Sequence, residues 1–312
     1  MQYPNQLTKK NTMSTAPELI FSLVVSLLCV SAAVSDEVVV EASGAEAADL
    51  EYLPPKQICK LENRKVSESS GLAVSRRNAE IFWTHNDSGD RAKLYAFDVK
   101  GNHLGTSQIK KADAVDWEDM CSYTRDGKPR LLIGDIGDNG SRRKSVRLYV
   151  VEEPGNPHNE VKPLQTIKLK YSTGPMDCEA LAVDAINKKI LLVEKRRWLT
   201  CRVFMADLPD ETKEEKITAE PIAQIKLPLV TAMDVSSDGK RAIVLTLGQA
   251  FEYTRGEGED WAAAFKRKPR TIDMPARKQG EAICYGTEGN DLYLTSEFSP
   301  CPFFLVKAKQ PE

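Results

Sequence analysis

Apolar residues in this chain arrive in short, evenly spaced bursts rather than in helical stripes. Five bursts stand out: Ile81-Phe82-Trp83-Thr84, Leu131-Leu132-Ile133-Gly134, Ile190-Leu191-Leu192-Val193, Ala242-Ile243-Val244-Leu245 and Leu292-Tyr293-Leu294-Thr295. Continuous runs of four such residues, bounded by turns, predict strands buried on both faces. Each burst follows a polar turn containing Asn or Gly, such as Asp126-Gly127, Asn187, Asp238-Gly239 and Gly289-Asn290, which is hairpin chemistry. Before each turn lies a first strand opening on a polar residue: Ser70-Gly-Leu-Ala-Val, Glu118-Asp-Met-Cys-Ser, Glu179-Ala-Leu-Ala-Val, Thr231-Ala-Met-Asp-Val and Glu281-Ala-Ile-Cys-Tyr. Third strands are predicted at Leu94–Phe97, Arg147–Val151, Arg202–Met205 and Phe303–Val306. The only helix predicted is short, from Asp260 to Lys266.

The opening residues are spaced 48, 61, 52 and 50 positions apart. A period near fifty suits a four-stranded propeller blade, whose repeats run ~40–50 residues. The expected fold is therefore all-β, a five-bladed β-propeller. Six blades, or an open β-sandwich, are the alternatives. Lys56 to Leu61 precedes the first repeat and is expected to supply the outer strand of the last blade, closing the ring.

The first residues do not belong to that repeat. Lys9 and Lys10 precede an apolar run from Leu19 to Val34, with small residues at its end, Ala32, Ala33 and then Ser35. This order predicts a signal peptide over residues 1–35 and an exported, periplasmic or secreted protein. The run is shorter than the ~20 residues of a membrane span. Leu28 before Cys29 argues against a lipoprotein site. Residues 36–53 read as a flexible linker and 54–312 as the propeller domain.

Charge then narrows the function. With 43 Lys and Arg against 45 Asp and Glu, no basic surface favours nucleic acid. Six cysteines follow the leader: Cys59, Cys121, Cys178, Cys201, Cys284 and Cys301. An exported chain permits disulfides, and Cys178–Cys201 and Cys284–Cys301 each fall within one repeat. No CxxC or Cys/His spacing suggests zinc.

In a propeller the innermost strand of each blade starts at the axis. Ser70, Glu118, Glu179, Thr231 and Glu281 would converge there, three of them carboxylates that repel unless protonated or neutralised. A hard cation, calcium above all, is the expected remedy, since it accepts 6–8 oxygen ligands in loose geometry. No soft ligand sits in the set. The alternative is a water-filled channel lined by the same residues.

The set resembles the five-bladed calcium-dependent apyrases, which place Ser, Glu, Glu, Ser and Glu at the blade starts around one calcium. Thr231 here departs mildly from that pattern. Asn86-Asp87-Ser88-Gly89 matches the family's paired acids with Asn in place of the first. The segments NDSG (86–89), DWEDM (116–120) and IGDIGDN (133–139) also resemble a group of exported bacterial propellers. That likeness implies the fold and leaves the activity open.

Other residues extend the candidate site. Asp135, Asp138 and Asn139 form a polar loop after a core strand, beside Asn86, Asp87 and Lys195; tight turns use the same residue types. Asp116 lies two residues before Glu118 and is a general-base candidate or a solvated charge. Lys195 and Arg196 are candidate anion holders. His85 lies in the NDSG region without nucleophilic partners, and no Gly-x-Ser-x-Gly occurs. Trp83 and Trp117 are expected to pack between blades. Trp198 either packs or stacks on a ligand.

Two functions stay open at this stage. One is a monomeric calcium-binding scaffold for an unknown small molecule or exported protein. The other, implied by the apyrase likeness, is a calcium-dependent phosphohydrolase. There the metal would polarise phosphoryl oxygen, Asp87, Asp135 or Asp116 would act as base, and Asn86, Asp138, Asn139, Lys195 and Arg196 would hold substrate.

Overall fold

The computed structural model of the chain describes residues 50–87, 89–198 and 200–309. The predicted signal peptide and nearly all of the expected linker lie outside these residues. The described chain is all-β apart from one four-residue helix, α1 (Trp261–Ala264), capped by Asp260 at the predicted place.

The strands form antiparallel groups of four. The first is β2 (Ser69–Val74), β3 (Ile81–Asn86), β4 (Lys93–Asp98) and β5 (His103–Gln108). The second is β6 (Trp117–Arg125), β7 (Lys128–Asp135), β8 (Val146–Glu152) and β9 (Gln165–Tyr171). The third is β10 (Cys178–Asp184), β11 (Lys189–Glu194), β12 (Cys201–Asp207) and β13 (Glu214–Ile225). The fourth is β14 (Val230–Val235), β15 (Arg241–Thr246), β16 (Ala250–Thr254) and β17 (Arg270–Ile272). The last is β18 (Gly280–Tyr285), β19 (Leu292–Ser296), β20 (Pro302–Val306) and, from the other end of the described chain, β1 (Lys56–Lys60). All five apolar bursts fall on second strands.

One feature departs from equal repeats. The first half of β13 pairs in parallel with β9 over Glu214–Ala219, while its second half pairs with β12. The second and third groups thereby merge into one eight-stranded sheet.

Packing explains why second strands lack an alternating pattern. Along β11, Ile190 and Leu192 enter the cluster shared with the second group, whereas Leu191 and Val193 enter the cluster shared with the fourth. A strand between two neighbouring sheets has no solvent face to leave polar. Trp83 and Trp117 pack together between the first and second groups, as expected. A further cluster joins the fourth group to the fifth. Phe82 and Phe97 of the first group meet Phe303 of the last. The first strands adjoin one another in the order β2, β6, β10, β14, β18 and back to β2. The architecture is propeller-like.

Turn chemistry fixes the register at the opposite ends of the strands. Asp126 and Gly127 both hold positive φ, 49° and 72°, as a two-residue hairpin between β6 and β7 requires. At the chain's start, pairing begins before the expected domain boundary: Tyr52 bridges Ala308, and the Leu53 N–H donates to Lys307 O at 2.8 Å.

The disulfide expectation does not hold: all six described cysteines are free. Within a four-stranded group the first and third strands are never neighbours. Cys178 on β10 and Cys201 on β12 have β11 between them. Two strand spacings make ~9.6 Å, beyond the ~7 Å that a disulfide spans between Cα atoms. Cys284 and Cys301 are separated across β19 and also along the strands, since Cys284 is level with Tyr293 and Leu305.

Candidate functional site

The five opening residues occupy one structural position. Ser70, Glu118, Glu179, Thr231 and Glu281 are each the second residue of a first strand, and each lies at a bulge where that strand carries one residue more than its partner. A bulge lifts a residue out of the ladder and re-aims its side chain. All five are buried.

Their polar atoms do not share one fate. Thr231 Oγ1 donates to Gly280 O at 2.7 Å, and Glu281 Oε1 accepts from the Gln279 amide at 3.0 Å. Glu179 Oε2 accepts from Lys195 Nζ at 2.6 Å. Glu118 is only 4 % exposed, yet no side-chain or backbone donor among the described residues reaches its carboxylate. It faces Asp87 and Asp116: the three offer ligand oxygens within 4.8 Å of one another. Gly137, in the IGDIGDN segment, makes room for this trio. A Cβ there would stand 2.2 Å from Glu118 Oε1 and 2.6 Å from Asp116 Oδ2.

The electrostatics follow from this crowding. Burial, then Glu179, Asp87 and Asp116, push the Glu118 carboxyl well above its usual range. Burial and the neighbouring Asp87 push Asp116 up to about 6. Burial drives Glu179 up to about 8, against the pull of Lys195. Glu281, Asp135, Asp177 and Glu297 are raised as well, in each case chiefly by burial. Burial works against the charge on Lys195, but Glu179, Glu281 and Glu118 outweigh it and hold the ammonium protonated. Buried like charges are costly, and protons or a cation must offset them.

The remaining sequence candidates sort by their partners. Asn86 is a clamp: its Oδ1 accepts from the Ser67 and Glu68 N–H groups, and its Nδ2 donates to Lys65 O and Asp90 Oδ2. It fixes the loop that carries Asp87. Asp135 Oδ1 accepts from Arg143 at 2.8 Å and from the Asp116 N–H at 3.1 Å, so it orients Asp116. Asp138 closes its own turn by accepting the Arg143 N–H at 2.7 Å, and its N–H donates to Asp177. Asn139 is exposed. Arg196 pairs with Glu194 at 3.3 Å rather than reaching the trio. His85 is fully buried, and burial lowers it to about 4, so it is neutral. Trp198 does not pack; it is 82 % exposed.

Sequence reading missed Asp177, Glu297 and Asp119. Asp177 precedes a bulged position, and Glu297 follows β19 in the loop that also holds Phe298. Asp119 is neighbour to Glu118 in the DWEDM segment and is wholly buried. Its carboxylate accepts the N–H groups of Met120, Leu181 and Met233.

No family model matches this chain, and no curated protein matches it. Among solved structures, a chain of a nidogen/laminin complex is similar with a TM-score of 0.45 and 13% identity, covering 74% of this chain and 73% of that one. Among the described residues, no helix is long and apolar enough to cross a membrane.

Proposed function

We propose that this protein is an exported five-bladed β-propeller that binds one hard divalent cation, calcium, and acts as a binding or scaffold module. The observation that carries the cation is Glu118: a carboxylate more than nine-tenths buried, reached by no donor among the described residues, facing the carboxylates of Asp87 and Asp116. An all-oxygen donor set with a half-exposed rim suits calcium, which tolerates irregular geometry and completes its shell with water. The reading moves the ion away from a symmetrical ring of Ser70, Glu118, Glu179, Thr231 and Glu281, because Thr231 and Glu179 already have partners. The five groups of strands and the cyclic order of their first strands support five blades. Export rests on the leader read at residues 1–35.

Thermal unfolding tests this. A ligand that binds only the folded state adds RT ln(1 + [L]/Kd), about 2.7 kcal/mol at a hundredfold excess. That corresponds to a midpoint rise of roughly 5–10 °C for a domain of this size. Calcium added after EDTA is expected to produce such a rise in the wild type and not in Glu118→Gln. A wild-type midpoint indifferent to calcium, with no metal found by elemental analysis, sinks the cation reading.

A second reading, calcium-dependent phosphohydrolysis, draws support from Asp116. Burial and Asp87 hold that carboxyl at about 6 in the ion-free chain; an adjacent cation would lower it, and its carboxylate at the edge of the trio would then accept a proton from an attacking water. The anion holders count against it, since Lys195 and Arg196 are engaged by Glu179 and Glu194. Phosphate release from a nucleotide panel, with and without calcium, separates the two readings.

A further inference from the structure

We propose that Lys195 is a built-in competitor for the cation: its ammonium occupies the Glu179–Glu281 side of the acidic centre and confines a divalent ion to Asp87, Asp116 and Glu118. This presupposes the cation reading and names what regulates that site. Lys195 lies just past β11, where its backbone N–H donates to Asp177 O at 3.1 Å. Its side chain turns inward, placing Nζ 2.6 Å from Glu179 Oε2. The Glu179 side chain is 5% exposed and that of Lys195 25%, so the contact is largely shielded from water. Glu281 and Glu118 also act on the ammonium. Glu118 in turn feels Glu179 on one side and Asp87 and Asp116 on the other. It is therefore the edge shared by two halves of one acidic centre, one half holding the Lys195 amine and the other grouping Glu118 with Asp87 and Asp116.

A lysine ammonium is a compact point charge on a flexible stem, so it substitutes electrostatically for a metal ion among carboxylates. It also repels a divalent ion placed a few ångströms away in a poorly screened interior. The five-residue ring implied by the repeats is therefore divided by a residue outside the repeat pattern.

Calorimetric titration of calcium into the mature chain tests the proposal, comparing wild type with Lys195→Met and Lys195→Gln. Both variants remove the charge, and the second keeps a polar tip should the first fail to fold; circular dichroism verifies each. Removal of one positive charge beside a divalent ion is expected to tighten calcium binding roughly tenfold or more. Calcium binding that appears only in the variants overturns the cation reading for the wild type and, with it, the confinement proposed here. Affinity unchanged or weakened in a folded variant overturns the role of Lys195 and leaves the cation reading standing. No calcium binding in the wild type or in either variant overturns both.

Discussion

Asp119 Oδ2 accepts the backbone N–H of Met233 at 3.0 Å, across 114 residues of sequence. The same oxygen takes the Leu181 N–H at 2.9 Å, and Oδ1 takes the Met120 N–H at 2.8 Å. One carboxylate on β6 thus ties β10 and β14 together. Burial pushes this carboxyl well up, and the three N–H groups pull the other way. Asp119→Ala strands those N–H groups without an acceptor, and each buried orphan costs ~1–3 kcal/mol. Part of that is returned by no longer burying a charge. The expected net loss is ~3 kcal/mol, a midpoint fall of roughly 6–12 °C. Asp119→Asn keeps one acceptor and is expected to lose about half as much. Thermal unfolding decides, and a fall under about 2 °C for the alanine variant refutes the tie.

Gly137 offers a cleaner probe of the cation than any ligand substitution. A methyl group there collides with Glu118 Oε1 and with Asp116, yet it removes no carboxylate. Both offending groups are side-chain carboxylates on rotatable bonds, so the fold is expected to tolerate Gly137→Ala with a small change in midpoint. The carboxylates must move apart, so calcium affinity is expected to drop by at least about tenfold, the equivalent of ~1.4 kcal/mol. Calorimetry of the variant beside its melting curve reads both. Undiminished affinity places the ion elsewhere.

How far these features were legible in sequence depends on whether they are local. The repeat is legible because every second strand lies between two apolar neighbours and so drops the alternation of a half-exposed strand. Glu118 and Glu179 are legible for the same reason: equivalent positions in a repeat occupy equivalent places. Their partners are not. Lys195 comes from a loop, and nothing in its neighbours Glu194 and Arg196 says that it turns inward while Arg196 turns out. The bulges at Ser70, Glu118, Glu179, Thr231 and Glu281 add one residue to one strand, and glycine flanks only two of them, Gly71 after Ser70 and Gly280 before Glu281, so no common residue marks the set. Asp119 was overlooked because strict alternation sends it away from Glu118, and the bulge redirects Glu118 rather than Asp119. The parallel pairing of β9 with β13 joins segments 48 residues apart in register, Thr166 opposite Glu214, and leaves no periodic trace.

The cysteines lead to a chemical prediction. All six described thiols are free, and five are buried. Cys59 is half-buried, and burial raises its thiol to about 11. Thiolate is the reactive form, so the native protein is expected to react slowly with a maleimide, at Cys59 first. In denaturant without reductant, peptide mapping is expected to find Cys121, Cys178, Cys201, Cys284 and Cys301 alkylated as well. Reductant is expected to leave the melting midpoint unchanged. A Cys178–Cys201 or Cys284–Cys301 cross-linked peptide contradicts the strand order described above.

The acidic centre also sets a pH dependence whose sign reveals the ion. Without a cation, burial holds Asp116 at about 6 and Glu179 at about 8, with Glu118 raised too. The unfolded chain titrates these groups near ~4. Between those ranges the folded state therefore holds more protons than the unfolded one. Stability must fall as pH rises through that window. His85 has the opposite sign: lowered to about 4, it contributes a rise in stability between about 4 and its ordinary 6.5 and nothing beyond. The interval from about 6.5 to 8 thus isolates the carboxylates. In EDTA the melting midpoint is expected to decline across it. Saturating calcium replaces the protons and draws the carboxyls of the acidic centre back toward ordinary values, so their share of the decline is expected to vanish, that of the raised Asp119, held by backbone N–H groups, is expected to remain, and calcium affinity itself is expected to rise with pH. Scanning calorimetry at pH 6.5, 7.25 and 8, in EDTA and in calcium, makes the comparison. A midpoint that climbs with pH in EDTA, or a decline that calcium leaves untouched, is incompatible with an ion held among Asp87, Asp116 and Glu118.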